Sequence, residues 1–278
     1  MKVEDCIVSV ERRTLGRCVD LAFVFSREFY APILRLWLLC AGPACGLVWC
    51  LACLTTDMLL PSLLIFLVFG SIFSALLTAC LGPQVFGVPI SVRGAVRAWR
   101  KRFFAWFFSS ALIMFFQCLA GFCFVLPAVF VTAIAGHLPE VLFLENTPLP
   151  RINSRLTWLA GGGGYRRNLG RLIELFAYWS SMSLGIFVIL DLLCGTVLNK
   201  PIFLGRVFSD SGGREELVSQ VLLDDPLFLT GLQLCLWIPY PLIRIAWFFC
   251  YLDQRIRSEC WDLQVVFRSE THRLEELA

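Results

Sequence analysis

The chain has 278 residues and a formal net charge of +3; 58% of its residues are hydrophobic and only 16% are charged. Soluble domains are about 45–50% apolar and about 25% charged, so this composition excludes an ordinary soluble fold. Basic residues are not interleaved with aromatic ones outside the loops that flank the apolar runs, which argues against nucleic-acid binding.

The first thirty residues are charged and contain no early uninterrupted apolar stretch, so no cleavable signal peptide is expected. Within them, Thr14–Phe29 has a row of apolar residues at helical spacing: Leu15, Val19, Phe23 and either Phe25 or Ser26. Ser91–Arg102 has a similar row with arginines opposite, and Pro150–Ala160 has Ile152, Leu156 and either Leu159 or Trp158 on one side. Basic amphipathic helices lie among lipid headgroups and attract anionic lipid. We predict three short interfacial helices, which serve either as ordinary juxtamembrane helices or in headgroup recognition and partner docking.

The long apolar runs predict six transmembrane helices, since about 20 apolar residues cross the roughly 30 Å hydrocarbon core. One stretch, Phe103 to Leu144, has no Lys or Arg and is too long for a single span. Pro127 near its middle predicts a tight hairpin. The predicted spans are residues 31–54, 59–81, 103–125, 127–144, 172–198 and 226–251, and a tail covers 252–278. The predicted fold is therefore all-α, a polytopic membrane bundle forming one domain over residues 1–278.

Basic residues predict how these spans are oriented, because Lys and Arg accumulate in cytoplasmic loops. The N-terminal segment, the loop after the second span and the loop after the fourth span hold five each, and the tail holds four. The opposite side holds three, all in the loop after the fifth span: Lys200, Arg206 and Arg214. This asymmetry predicts a multi-pass membrane protein with an even number of spans and both termini in the cytoplasm.

Four glycines, Gly161–Gly164, precede the fifth run. A Gly-rich loop can bind phosphate, but the Lys-Ser/Thr of a Walker motif is missing, which favours a flexible link. Most of the 13 cysteines lie in apolar runs, where Cys acts as a small hydrophobe. Cys50 and Cys53 have a redox or zinc spacing without accompanying ligands. No metal or cofactor is predicted.

Few ionisable residues lie inside the predicted spans, where such residues commonly mark function. Asp191 is in the fifth run and Arg244 in the sixth, while His137 and Glu140 form an i,i+3 pair in the fourth. The pair has the spacing of two ligands on one helix face, but it lacks the second carboxylate–His helix of a di-metal bundle. We predict that the pair is structural and fills the interior of the bundle. The alternative is that it binds a metal or forms a proton relay.

Catalytic motifs are missing from the sequence. It has only two histidines and contains neither a Gly-x-Ser-x-Gly elbow nor a His-Glu-x-x-His motif. We therefore expect no enzymatic activity and no catalytic residues.

The end of the sixth run is rich in charge: Asp253, Arg255, Arg257, Glu259 and Asp262. In a helix, Asp253 pairs with Arg257 and Arg255 with Glu259 at i,i+4, each worth a few tenths of a kcal/mol when exposed. Two readings stay open: a charged helix end among headgroups, or charges that bind the basic surface helices and hold that face together.

This ending resembles the closing motif of a bacterial family of multi-span proteins of unknown function. That family is related to the membrane domain attached to some glycerophosphodiester phosphodiesterases. The similarity rests on the charged ending with Leu263, on Thr14-Leu15-Gly16, on the arginine string after Ser91, and on Glu145 followed by Pro148, Arg155 and Leu156; Cys260 stands where Gly is expected.

The resemblance implies six spans and a non-catalytic membrane module, because the phosphodiesterase activity of those relatives resides in a separate soluble domain. We expect a structural or scaffolding subunit of a membrane assembly, with the bilayer, anionic headgroups and other membrane proteins as partners. The alternative is a transporter or channel for a small or lipidic solute.

Overall fold

A computed structural model describes residues 12–85, 92–123, 125–161, 163–197, 199, 201–203 and 221–259. All regular secondary structure in this part of the chain is α-helical, as predicted. The helices in chain order are α1 Leu15–Glu28, α2 Tyr30–Ala52, α3 Leu59–Val85, α4 Val92–Lys101, α5 Phe103–Cys123, α6 Val125–Ala135, α7 Leu138–Phe143, α8 Leu149–Ala160, α9 Gly164–Val197, α10 Pro226–Trp237 and α11 Tyr240–Glu259.

Four helical segments in the described residues are long and apolar enough to cross a membrane. They are α2, α3, α9 and the α10–α11 segment Pro226–Glu259, and they overlap the first, second, fifth and sixth predicted spans. Their length and composition fit a membrane protein.

The third and fourth apolar runs form shorter helices. Helices α5 and α6 pack against each other, consistent with a hairpin, but α6 ends at Ala135 and α7 begins only at Leu138. Gly136 and His137 separate them, and Pro139 lacks the N–H that would continue the helix. Pro127 lies in the first turn of α6, where proline is tolerated. The continuous helix expected over 127–144 is thus interrupted near its C-terminal end.

The three predicted surface segments form α1, α4 and α8. Helix α8 buries Ile152, Leu156 and Leu159, as its pattern predicts. Helix α1 buries Phe25, one of the two residues expected to complete its row, together with Cys18 and Ala22, whereas Phe23 is 54% exposed. Phe23 and Phe25 are two positions apart and so lie on nearly opposite sides of the helix, and the inward side is that of Phe25, which contacts Phe249 edge to face.

The chain divides into two compact units. Unit 1 comprises Met1–Pro32, Ser74–Leu175 and Leu242–Ala278, and unit 2 comprises Ile33–Phe73 and Phe176–Pro241.

Unit 2 is organised around aromatic side chains near the break between α10 and α11. The Phe66 ring lies 5.5 Å from Trp179, 5.2 Å from Trp237 and 5.3 Å from Tyr240, measured between centroids. Tyr240 also donates its hydroxyl to the Gly70 carbonyl (3.1 Å). Aromatic contacts of this kind add roughly 0.5–1.5 kcal/mol per pair beyond area burial.

Tryptophan side chains also bind the backbone that this break exposes. Pro241 has no N–H, so the Trp237 carbonyl four residues earlier lacks its helical donor. Trp37 Nε1 donates to that carbonyl (2.8 Å), and Trp179 Nε1 donates to the Leu236 carbonyl beside it (3.0 Å). In a bilayer, where water cannot bind these groups, such partners are required.

Candidate functional site

Unit 1 contains two groups of polar side chains. The first, here called the α11 network, surrounds the C-terminal end of α11 and comprises Glu145, Arg155, Arg171, Tyr251, Asp253, Gln254, Arg255, Arg257 and Glu259. The second, here called the buried polar cluster, comprises Ser74, His137, Glu140 and Arg244.

Asp253 is the centre of one half of the α11 network and is 1% exposed. Its Oδ2 accepts from Arg171 Nη2 (2.5 Å) and Arg257 Nε (2.8 Å), and its Oδ1 accepts from the Arg13 backbone N–H (2.6 Å). Arg171 and Arg257 both donate in turn to the Arg13 carbonyl (3.1 and 3.2 Å). One buried carboxylate therefore joins α11, α9 and the segment before α1.

Glu145 is the centre of the other half and lies in the loop between α7 and α8. It accepts two hydrogen bonds from Arg155 (2.6 and 2.8 Å) and one from the Tyr251 hydroxyl (2.6 Å). Arg155 also binds Glu259, which accepts from Arg255 as well (2.7 Å). The hydrogen bonds to Glu145, together with Glu259, raise the pKa of Arg155. These contacts attach α8 and the α7–α8 loop to α11.

The α8–α9 connection is fixed by Gln254. Its Nε2 donates to the Leu159 carbonyl (2.9 Å), and its Oε1 accepts from Arg167 Nη1 (3.2 Å). A Cβ on Gly164 would overlap the Gln254 amide and the Leu159 carbonyl, so only glycine fits there. Gly163 has φ +81°, a conformation that glycine adopts without strain. The glycine run thus includes two positions with defined steric and backbone roles.

Arg102, at the α4–α5 junction, binds the end of α7 and the α7–α8 loop. Arg102 Nη1 donates to the Leu142 carbonyl (3.0 Å) and its Nη2 donates to the Asn146 carbonyl (3.0 Å). Asn146 has a φ of 56°, which asparagine tolerates better than most residues.

Both i,i+4 pairs predicted from the sequence are present, Asp253 with Arg257 and Arg255 with Glu259. Asp262, the fifth charged residue predicted in this motif, lies outside the described residues. The spacing did not point to Arg171 and Gln254, whose partners are distant in the sequence.

In the buried polar cluster, Arg244 Nη2 contacts Glu140 Oε1 (2.5 Å) and Arg244 Nε contacts the Ser74 hydroxyl. Glu140 is fully buried and Arg244 is 6% exposed. Glu140 Oε2 and Arg244 Nη1 are buried with no hydrogen-bond partner among the described residues. The pair therefore leaves one acceptor and one donor that a water molecule or a small polar ligand could satisfy.

His137 occupies the N-cap position of the short helix α7 without a side-chain capping hydrogen bond, and it lies beside this ion pair. Its ring stacks on Trp247 with centroids 4.4 Å apart and planes inclined by 13°, and it lies 5.5 Å from the Tyr251 ring. Trp247 Nε1 donates to the Gly136 carbonyl (3.0 Å), which the α6–α7 break exposes. Within the described ranges, no group of three or more His, Cys, Asp and Glu side chains could hold a metal ion.

Asp191, the remaining sequence candidate, belongs to unit 2 and binds backbone. Its Oδ1 accepts from the N–H groups of Ile202 (2.6 Å) and Phe203 (2.7 Å). Ile202 belongs to a buried apolar cluster with Val48 and Leu229. Asp191 therefore fixes the start of the loop after α9 onto the core of unit 2.

No protein-family model, curated protein or solved structure matches this chain. The resemblance to the membrane domain of glycerophosphodiester phosphodiesterases remains a prediction.

Proposed function

We propose that the chain is a non-catalytic scaffolding subunit of a membrane assembly, and that the α11 network holds its partner-binding face in one conformation. The observation that carries the proposal is that one helix end binds the segment before α1, the α7–α8 loop, α8 and α9 through side chains. Because these charged groups bind one another across four segments, we assign them a positioning role.

The energetics of the network support a positioning role. Replacing a buried ion pair by apolar residues is often neutral or stabilising, so such pairs are weak contributors to stability but can specify a single arrangement. In this network, Asp253 and Glu145 each accept at least three hydrogen bonds, which limits the alternative positions of the helices they join.

We further propose six spans, with both termini in the cytoplasm of a bacterial inner membrane. Four spans are α2, α3, α9 and α10–α11. The other two would be α5 and the α6–α7 segment. Helix α5 has 21 residues, about 31 Å at 1.5 Å per residue, which matches the hydrocarbon core. A break inside α6–α7 is tolerated where its carbonyl groups are bound, as the Gly136 carbonyl is by Trp247.

Reporter fusions test this topology. Alkaline phosphatase fused after Glu259 should be inactive, and the same reporter fused after Asn199 should be active, because the enzyme matures only outside the cytoplasm. An active fusion after Glu259 would contradict an even number of spans that starts in the cytoplasm.

Co-purification tests the scaffolding role. The tagged chain, extracted in mild detergent, should be recovered with other membrane proteins, and Asp253→Asn should reduce that recovery. Asp20→Asn is the matched control, because Asp20 is an exposed residue of α1. Recovery of the wild-type chain alone under every mild extraction would contradict the proposal.

One observation favours a second function, transport. The Glu140–Arg244 pair is buried in an apolar segment and leaves an unpaired acceptor and donor among the described residues, and buried ionisable residues in membranes commonly mark ion or proton paths. Proton flux into proteoliposomes, followed with a pH-sensitive dye, should then fall on Glu140→Ala. Flux that neither Glu140→Ala nor Asp191→Ala changes would remove both residues from a transport path.

A further inference from the structure

An arginine-lined cleft opens beside the α11 network in unit 1. Its volume is about 520 Å³, and the residues lining it include Arg12, Trp158, Arg167, Gln254 and Arg257. A neighbouring groove of about 530 Å³ shares Arg167 and Arg257 and adds Arg166, Arg171 and Glu174. We name the first of these the Arg167 cleft.

Among the described residues that line the Arg167 cleft, the charged ones are Arg12, Arg167 and Arg257. Arg257, Arg171 and Arg12 all act on Arg167 by like-charge repulsion, and Asp253 is the carboxylate that opposes them. Asp253, however, is already bound by Arg171, Arg257 and the Arg13 backbone N–H. Among the described residues, this one carboxylate therefore offsets several guanidinium charges at once.

Arg167 has donors available to a ligand. In the part of the chain that the structure describes, the one hydrogen bond of its side chain runs from Nη1 to Gln254 Oε1 at 3.2 Å, a neutral acceptor at the long end of the normal range. The side chain is half-buried, so its position is restrained but its guanidinium can be reached. It lies in the first turn of α9, where the helix dipole adds positive potential.

The ligand chemistry follows from these donors. Guanidinium groups bind phosphate oxygens through paired, charge-assisted hydrogen bonds, and a site that gathers several arginines favours an anion with several oxygens. The cleft is large enough for a phosphate with an attached glycerol-sized group, since ligand pockets of about 300–1,000 Å³ accept whole small molecules.

The depth of the cleft along α9 fits a lipid headgroup. Helix α9 has 34 residues, about 51 Å, which exceeds the roughly 30 Å hydrocarbon core. Its charged first turns therefore extend beyond the hydrocarbon. Trp158 at the cleft edge is 47% exposed, and tryptophans with a free face are enriched at membrane interfaces. The Arg155 guanidinium carbon lies 4.5 Å from the centre of the Trp158 ring.

We propose that the Arg167 cleft binds a phosphate group, carried by an anionic glycerophospholipid or free in solution, between Arg167, Arg257 and Arg12. The proposal goes beyond the scaffolding role and depends on the proposed topology only for placing the cleft at headgroup depth.

Native mass spectrometry of the purified full-length chain in detergent provides the test. Phosphatidylglycerol and phosphatidylcholine are added in separate titrations, and inorganic phosphate is added in a third. We expect phosphatidylglycerol to bind in preference to phosphatidylcholine, and Arg167→Gln to weaken that binding roughly ten-fold or more. Binding of inorganic phosphate alone, lost in the same variant, would also support the site and assign it to a free phosphate.

Control variants keep the test independent of folding. Arg151→Gln changes an exposed arginine of α8 and should leave binding unchanged, and Arg12→Gln, also exposed, should weaken it. Unchanged binding in both Arg167→Gln and Arg12→Gln, or no binding of either phosphate source, would overturn the proposal. Phosphate binding is measured on the chain alone, so it does not depend on partner proteins. A chain that binds phosphate but is recovered without partners would refute only the scaffolding role.

Discussion

Replacing Asp253 by Asn is the sharpest perturbation of the α11 network. The substitution preserves the size of the side chain but removes the only negative charge in contact with Arg171 among the described residues. The Arg171 side chain is 7% exposed, so water cannot replace the lost carboxylate. Removing one partner of a buried ion pair costs about 3–5 kcal/mol, because the other charge stays buried and uncompensated.

The expected loss of stability can be measured as a lower melting temperature. One kcal/mol corresponds to roughly 2–4 °C for domains of about 150–250 residues, so Asp253→Asn should lower the apparent Tm by roughly 6–20 °C. Tryptophan fluorescence of the chain in nanodiscs, recorded at a fixed scan rate, gives this value even where unfolding is irreversible. Asp20→Asn should change the stability by no more than about 0.5 kcal/mol, so its Tm should stay close to that of the wild type.

A double-mutant cycle isolates the ion pair from other effects. Arg171→Gln combined with Asp253→Asn removes both charges, so its total cost should fall below the sum of the two single costs by about 1–3 kcal/mol. Additive costs, or a Tm for Asp253→Asn equal to that of Asp20→Asn, would refute the claim that this buried charge pair joins the segments.

Three further substitutions test other contacts by the same melting assay. Gly164→Ala should destabilise the chain by about 1–3 kcal/mol, since the new Cβ overlaps the Gln254 amide that fixes the α8–α9 connection. Gly170→Ala, with open space around it, should be neutral or stabilising, and equal effects of the two substitutions would contradict this packing. Trp37→Phe should cost about 1–3 kcal/mol because it leaves a proline-exposed carbonyl without its donor, and Trp49→Phe, at an exposed position, should cost much less; similar losses would argue against the capping role. Asp191→Asn should cost about 1–2 kcal/mol by weakening two charge-assisted bonds to backbone N–H groups, and an unchanged Tm would exclude that role.

Local patterns predicted the helices and the short-range pairs. Hydropathy predicted the four long helices, because a span of apolar residues is a property of neighbouring positions. The i,i+4 rule predicted that Asp253 pairs with Arg257, since one helical turn fixes their separation.

Contacts between distant segments could not be predicted in this way. The partners Arg171 and Asp253 are 82 residues apart, and Tyr251 and Glu145 are 106 residues apart. No periodicity within one helix contains that information. The break at Gly136 was missed because hydropathy averages over side chains and does not register a lost backbone hydrogen bond.

The sequence resemblance pointed to residues of the α11 network but did not say what they do. It drew attention to Glu145, Arg155 and the charged ending, three features that the structure brings together in the α11 network. The contacts of Glu145 and Arg155 with the end of α11 suggest that these residues position that helix end.

Cross-linking in intact membranes, before any detergent is added, tests the scaffolding role most directly. The tagged wild-type chain should be captured with a reproducible set of other membrane proteins, Asp20→Asn should capture the same set, and Asp253→Asn should capture markedly less of it. Capture of the wild-type chain alone, or equal capture by Asp253→Asn and the wild type, would contradict a face held in place by the α11 network for binding partners.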